Sequence, residues 1–290
     1  MRGLARAGVA IAGLGLAFGV ALLAGAAVPQ IHDDAEVAAA HGHAAEPAAP
    51  AHGADHDASA PAGLAVAEDG YRVVPGATTL PAGEAVTWSF RVVGPDGHAV
   101  TGFDVEHERR MHLIVVRRDL TGYRHLHPTL GADGRWSVRL PAGAPGVHRA
   151  YADFSTAGQA HTLAADLFVP GAFAPRPLPA PAPVDEADGY AAALSAEHVE
   201  AGGTAELSYR LEQDGRALAG VEPYLGADGH LVALREGDMA FLHVHPEASD
   251  EPGTIRFGAT LPSAGRYRLF LQFKHDGVVR TVAHTLVVPR

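Results

Sequence analysis

Cysteine is absent from the sequence. Its absence excludes disulfide staples, thiolate zinc knuckles, iron–sulfur clusters, thiol nucleophiles, thiolate copper centres and lipid anchors carried on cysteine. Cationic side chains are also scarce: Lys and Arg number 22 against 33 Asp and Glu, a formal net charge of -11. A phosphate backbone needs clustered cations, so no nucleic-acid partner is expected. Also missing are a Gly-x-Ser-x-Gly elbow, a phosphate loop and a carboxylate pair, and the chain is not expected to be an enzyme. What it has in excess is histidine, 18 residues in 290. With thiolates gone, imidazole is the abundant transition-metal ligand left.

The chain divides into five stretches. Residues 1–28 read as a signal peptide or membrane anchor: Arg2 and Arg6 precede an uncharged run from Ala7 to Val28, with Ala24 and Ala26 offering a small-residue cleavage site. Positive charge ahead of the apolar run sends the remainder outward, so the folded part is expected outside the cytoplasm, secreted or anchored to the membrane if the leader stays uncleaved. Residues 29–65 are mostly Ala, Pro, His, Asp and Gly and are expected to be disordered. His32, His41, His43, His52 and His56 lie there, several beside Asp, as in a weak metal-collecting tract or a soluble tether.

The rest is a tandem duplication. A shift of 118 places Pro95-Asp96-Gly97 on Gln213-Asp214-Gly215, His112-Leu113-Ile114-Val115 on His230-Leu231-Val232-Ala233, and His125-Leu126-His127-Pro128 on His243-Val244-His245-Pro246. One position further on, His148-Arg149-Ala150-Tyr151 falls on Tyr267-Arg268-Leu269-Phe270. Residues 66–171 and 189–290 are the two copies. Between them, 172–188 is a spacer with proline at every second position from Pro175 to Pro183, extended and semi-rigid. Inside the copies the apolar period is two, as at Val86, Trp88, Phe90 and Val92, and Asp-Gly turns at Asp96, Asp133 and Asp214 separate strand-like runs. The fold class is all-β: two tandem immunoglobulin-like antiparallel β-sandwiches, with a half-barrel of cupin type as the competitor.

Three histidine pairs coincide between copies: His112 with His230, His125 with His243, and His127 with His245. Each set is a strand that begins with His, a turn, and a return strand ending in His-x-His-Pro. Alternation puts His125 and His127 on one face. An even loop would bring His112 to the same face, three imidazoles at cross-strand spacing, whereas an odd loop would leave a His-x-His pair. Each copy is thus expected to carry a metal site of neutral nitrogens, for copper first and zinc as the alternative. His107 and Met111 would extend the copy-one site toward Cu(I), although adjacent strand residues face opposite ways and Met111, next to His112, is equally well read as core. The bland alternative is that His-x-His merely closes a hairpin against loop carbonyls.

Phe103 to Leu120 with His125-Leu126-His127-Pro128 resembles bacterial extracytoplasmic β-sandwich domains of the YtkA-like and FixH-like kind, described as heavy-metal-binding secreted proteins. Tyr224 to Arg235 with His243 to Pro246 resembles their second half. The resemblance implies the sandwich fold, an extracytoplasmic location and a metal-ion partner. Two other functions compete with extracytoplasmic metal binding, delivery or tolerance. One is a metal-free cell-envelope module that binds a membrane or envelope protein. The other is a cupin-like metalloenzyme, for which Glu247 and Glu251 lie at unconvincing spacings from His245.

Overall fold

The computed structural model describes residues 61–242 and 244–290; the leader, residues 29–60 of the histidine-rich tract and His243 lie outside the described residues. Residues 61–65, read from the sequence as the end of a disordered tract, are instead held by backbone hydrogen bonds, with the Gly63 amide donating to the Thr162 carbonyl and the Ala62 carbonyl accepting from Phe241. Among the described residues no helix is long and apolar enough to cross a membrane.

Copy one contains β1 (Ala67–Glu68), β2 (Tyr71–Pro75), β3 (Val86–Val93), β4 (His112–Arg117), β5 (Arg124–Leu126), β6 (Thr129–Leu130), β7 (Arg135–Leu140), β8 (Gly146–Thr156) and β9 (Gln159–Val169). Copy two contains β10 (Val184–Ala187), β11 (Tyr190–Glu197), β12 (Thr204–Gln213), β13 (Arg216–Ala217), β14 (Gly229–Arg235), β15 (Phe241–Leu242), β16 (Val244–Glu247), β17 (Thr254–Thr260), β18 (Gly265–His275) and β19 (Val278–Val288). The second sandwich therefore begins at Val184, inside the stretch read from sequence as spacer. Each copy is two antiparallel sheets, ordered β1-β2-β3-β7-β6 over β5-β4-β8-β9 and β10-β11-β12-β17-β16 over β15-β14-β18-β19. In sequence order these are the A-B-E-D and C-F-G sheets of an immunoglobulin-like sandwich, with an added strand beside C.

Alternation along β3 sends Trp88, Phe90 and Val92 inward with Trp136, Leu113 and Leu163. The matching core of copy two contains Leu207, Tyr209, Leu211, Phe257 and Phe273. At the start of β18, the buried Tyr267 hydroxyl donates to the Ser263 carbonyl at 2.7 Å. This backward hydrogen bond is the corner device of immunoglobulin-like folds. In copy one His148 stands at that position, and its Nε2–H donates to the Ala144 carbonyl, four residues upstream, at 2.8 Å.

The two sandwiches pack against each other, so the separation that the proline-rich spacer suggested gives way to direct docking. Every residue of β4 is buried. Leu113 and Val115 face copy one's own core. Ile114 and Val116 face a third cluster shared with Val232, Leu234, Met239 and Phe270 of copy two. Tyr123 stacks on Phe270 with ring centres 4.2 Å apart, and the Tyr151 hydroxyl donates to the Met239 carbonyl at 2.6 Å. Spacer residue Leu178 is buried in the same cluster. Its carbonyl and that of Pro179 accept from Arg266 at 2.8 and 2.9 Å. Gly63 threads between the copies with φ +72°; a Cβ there would lie 2.7 Å from the Tyr151 ring and 2.9 Å from Phe241 Cβ.

Candidate metal centre

The alternation that buries Ile114 and Val116 between the copies also carries His112 to that face, at the end of the shared core. Register decides the rest. β4 pairs with β5 through Leu113 opposite Leu126 and Ile114 opposite His125, so His112 and His127 come opposite each other one step beyond. His112, His125 and His127 thus share one face, the outcome an even connection requires. One ring nitrogen from each lies within 4.8 Å of the others. Their ring centres are 5.2, 5.2 and 4.8 Å apart.

Hydrogen bonds favour one tautomer for two of the three rings. His112 Nε2 lies 3.1 Å from the Glu106 carbonyl oxygen, an acceptor, so this nitrogen carries the proton and Nδ1 keeps its lone pair. His125 Nδ1 lies 2.7 Å from Gln272 Oε1, again an acceptor, which leaves the lone pair on Nε2. The same amide donates through Nε2 to Thr281 Oγ1 at 3.3 Å, consistent with that orientation. The two bare nitrogens, His112 Nδ1 and His125 Nε2, then face each other at 3.0 Å. Two lone pairs at this distance repel unless a cation lies between them. An ion holding both at about 2.05 Å separates them by about 2.9 Å at a right angle and about 3.3 Å in a tetrahedron. The third member, His127, has a buried Nε2 without a hydrogen-bond partner among the described residues.

Burial keeps these rings neutral. Desolvation is the largest cause lowering the His112 pKa, against the Glu106 hydrogen bond and the Asp153 charge, which raise it. His125 is held well below the ordinary imidazole value by burial and then by His230 and His112. His127 is pushed to about 4 by burial, His112 and Arg109. His230 is pushed to about 3 by burial and by His112, His107 and His127. Neutral imidazole is the ligating form.

The structure brings His230 of copy two to the copy-one trio; among the described residues copy two gathers no second histidine trio of its own. β14 alternates as β4 does, with Val232 and Leu234 in the shared core and His230 at its end. The His230 ring lies 4.6 Å from His125 and 5.6 Å from His112. His107 stands at the rim, 6.0 Å from both His112 and His230. It occupies a two-residue turn, closed by hydrogen bonds between Glu106 and Arg109, in which His107 and Glu108 both have positive φ, 46° and 63°.

Two other residues singled out from sequence lie elsewhere. Met111 is 1 % exposed in the copy-one core, because adjacent strand positions face opposite ways. His245 is exposed on β16, which pairs with β17 in the other sheet. The physical reason is where the chain changes sheets: copy two leaves its β14 sheet after Leu242, whereas copy one holds its β4 sheet through Leu126 before crossing to β6. His243 falls outside the described residues. The sequence reading missed Gln272, which faces His230 in the β14–β18 register and orients His125 across the copy boundary. The duplication pointed toward it, since it matches the position of Asp153, which faces His112.

The model of one protein family, a domain of unknown function (DUF8832), matches residues 65–171 and again 185–290. No curated protein sequence matches the chain. Among solved structures, the chain is similar to the Escherichia coli adhesin FdeC at 17% identity and a TM-score of 0.26, covering 78% of this chain and 65% of that one. It is similar to the Yersinia pseudotuberculosis adhesin InvE at 11% identity and a TM-score of 0.24, covering 75% and 58%. A Salmonella alpha-2-macroglobulin mutant gives 15% identity and a TM-score of 0.27, covering 80% of this chain and 15% of that one. The chain thus spans less than two thirds of the length of each of these structures.

Proposed function

The chain belongs to the DUF8832 family, carrying its domain twice, and we propose that it is an extracytoplasmic protein that binds a transition-metal ion, copper in preference to zinc. The observation that carries this reading is the pair of imidazole nitrogens, His112 Nδ1 and His125 Nε2, held 3.0 Å apart with their outer nitrogens against the Glu106 carbonyl and the Gln272 amide, and with His127 beside them. Imidazoles oriented by carbonyl or amide partners are how proteins present a ring to a metal. His127 adds a third neutral ring. An all-nitrogen set suits Cu(II) and Zn(II) over Mg(II) or Ca(II), and Cu(II) leads on intrinsic affinity. The extracytoplasmic placement rests on the leader, Arg2 and Arg6 before the apolar run from Ala7. The site is read as one that holds its ion for delivery or tolerance.

The test is the melting temperature of the metal-free full-length chain with Cu(II) or Zn(II) added. A ligand that binds only the folded state at about 100 times its Kd stabilises it by about 2.7 kcal/mol. Metal held by the histidine-rich tract leaves the melt unmoved unless binding is coupled to the fold. The wild type is expected to gain stability with copper and the His125→Ala/His127→Ala variant is not. An unchanged wild-type melt at saturating metal refutes the reading.

A further inference from the structure

We infer that the ion sits between the two copies and that His230 of copy two is its fourth ligand, completing a set of four imidazoles with His112, His125 and His127 of copy one. The inference rests on the metal-binding reading above and deepens it. It stands on ring geometry. An imidazole bound through one nitrogen has its centre about 3.2 Å from the ion, so two rings on one ion are about 4.5 Å apart at a right angle, about 5.2 Å in a tetrahedron and about 6.4 Å in line. Five of the six separations among the four rings, all but that between His127 and His230, are 5.2, 5.2, 4.8, 5.6 and 4.6 Å, and these lie inside that window. His107, at 6.0 Å from two of the rings, is near the in-line limit with both and belongs to the rim.

The His230 ring lies nearly parallel to those of His112 and His125, at 9° and 25°, and its nitrogens are not among the three that converge. Ligation by His230 requires a turn of its side chain that brings one of them in. A cavity of about 20 Å³, lined by His107, Ala227, Val244 and Pro246, lies against His230. The second copy already reaches across the boundary through Gln272, which orients His125. Equivalent positions meet here. His112 stacks on its counterpart His230, and Glu108 Cγ lies 4.0 Å from where Gly226, its counterpart, would carry a Cβ. The ion therefore lies near the axis relating the copies. A closed four-nitrogen set is the pattern of retention, since catalytic sites keep a position open.

Two variants of the full-length chain test the fourth ligand. In His230→Ala, Cu(II) at one equivalent is expected to bind at least tenfold more weakly, with one fewer histidine nitrogen by pulsed electron paramagnetic resonance. In His230→Cys, Co(II) is expected to develop a thiolate charge-transfer band, a gained signal in a chain with no other cysteine, with the sheet signal in circular dichroism reporting that the variant has folded. A wild type whose melt copper does not move refutes the underlying reading. A wild type that copper stabilises, with His230→Ala unchanged in affinity and nitrogen count and His230→Cys showing no band, overturns the fourth ligand and leaves the three-histidine site standing.

Discussion

A neutral imidazole in a dry site is costly to protonate, and this sets how the metal-free fold responds to acid. His112, His125, His127, His230 and, in copy two, His284 all have pKa values lowered chiefly by burial. In the unfolded chain each titrates near the ordinary value of about 6.5. The sign follows from linkage. Above about pH 6.5 both states are neutral and stability is flat; between there and the depressed values of about 4 for His127 and about 3 for His230, the unfolded chain takes up protons that the folded one refuses. The urea midpoint of metal-free protein is therefore expected to hold from pH 8 to 7 and fall steadily from pH 6.5 to 4.5. A midpoint that stays level over the acid range contradicts the burial argument. Zinc or copper should shift the fall to lower pH, because bound metal replaces the proton in the folded state.

At the scale of the strand, the period of two made much of this legible. His125 and His127 share a face as their spacing requires, and the β4–β5 register puts His112 with them. The loop parity that chose between three rings and two was not readable, because turn geometry sets register. His245 went astray for a related reason: the sequence repeats, but copy two crosses to its other sheet sooner. The alignment of His148 with Tyr267 was visible in the sequence, and its meaning came from the corner hydrogen bonds to Ala144 and Ser263. If His148 has the structural role of the tyrosine, His148→Ala should cost about 1–3 kcal/mol in thermal denaturation by leaving the Ala144 carbonyl without its partner. His148→Tyr should retain most of that stability, helped by the roughly 250 Å³ cavity that His148 lines. Neither change should alter copper stoichiometry, since His148 lies at the far end of the β4 register, opposite Arg117. A drop in bound copper in His148→Tyr would argue that this histidine belongs to the metal centre.

For the whole molecule, the decisive feature is a core that belongs to neither copy. An antiparallel sheet normally has one face in water, yet β4 is buried on both, and its run Leu113-Ile114-Val115-Val116 is apolar at every position. That continuous run was the available sequence signal that the strand is covered from two sides; the proline-rich spacer pointed the other way, toward separated units. Docking is what brings His230 and Gln272 to His125, so loss of the interface should remove the proposed fourth ligand and weaken the proposed metal site. Val116→Glu tests this at a distance from the imidazoles: it puts a charge opposite Val232, Leu234 and Phe270 with no partner for it in that apolar cluster. An uncompensated buried charge costs on the order of 3–5 kcal/mol, enough to separate the copies while each keeps its own core. The expected outcome is a larger radius of gyration by X-ray scattering, retained sheet signal in circular dichroism, and copper affinity reduced to that of a site with copy-one ligands alone. If the copies come apart and copper still binds as in the wild type, the ion is held within copy one and the shared core serves docking only.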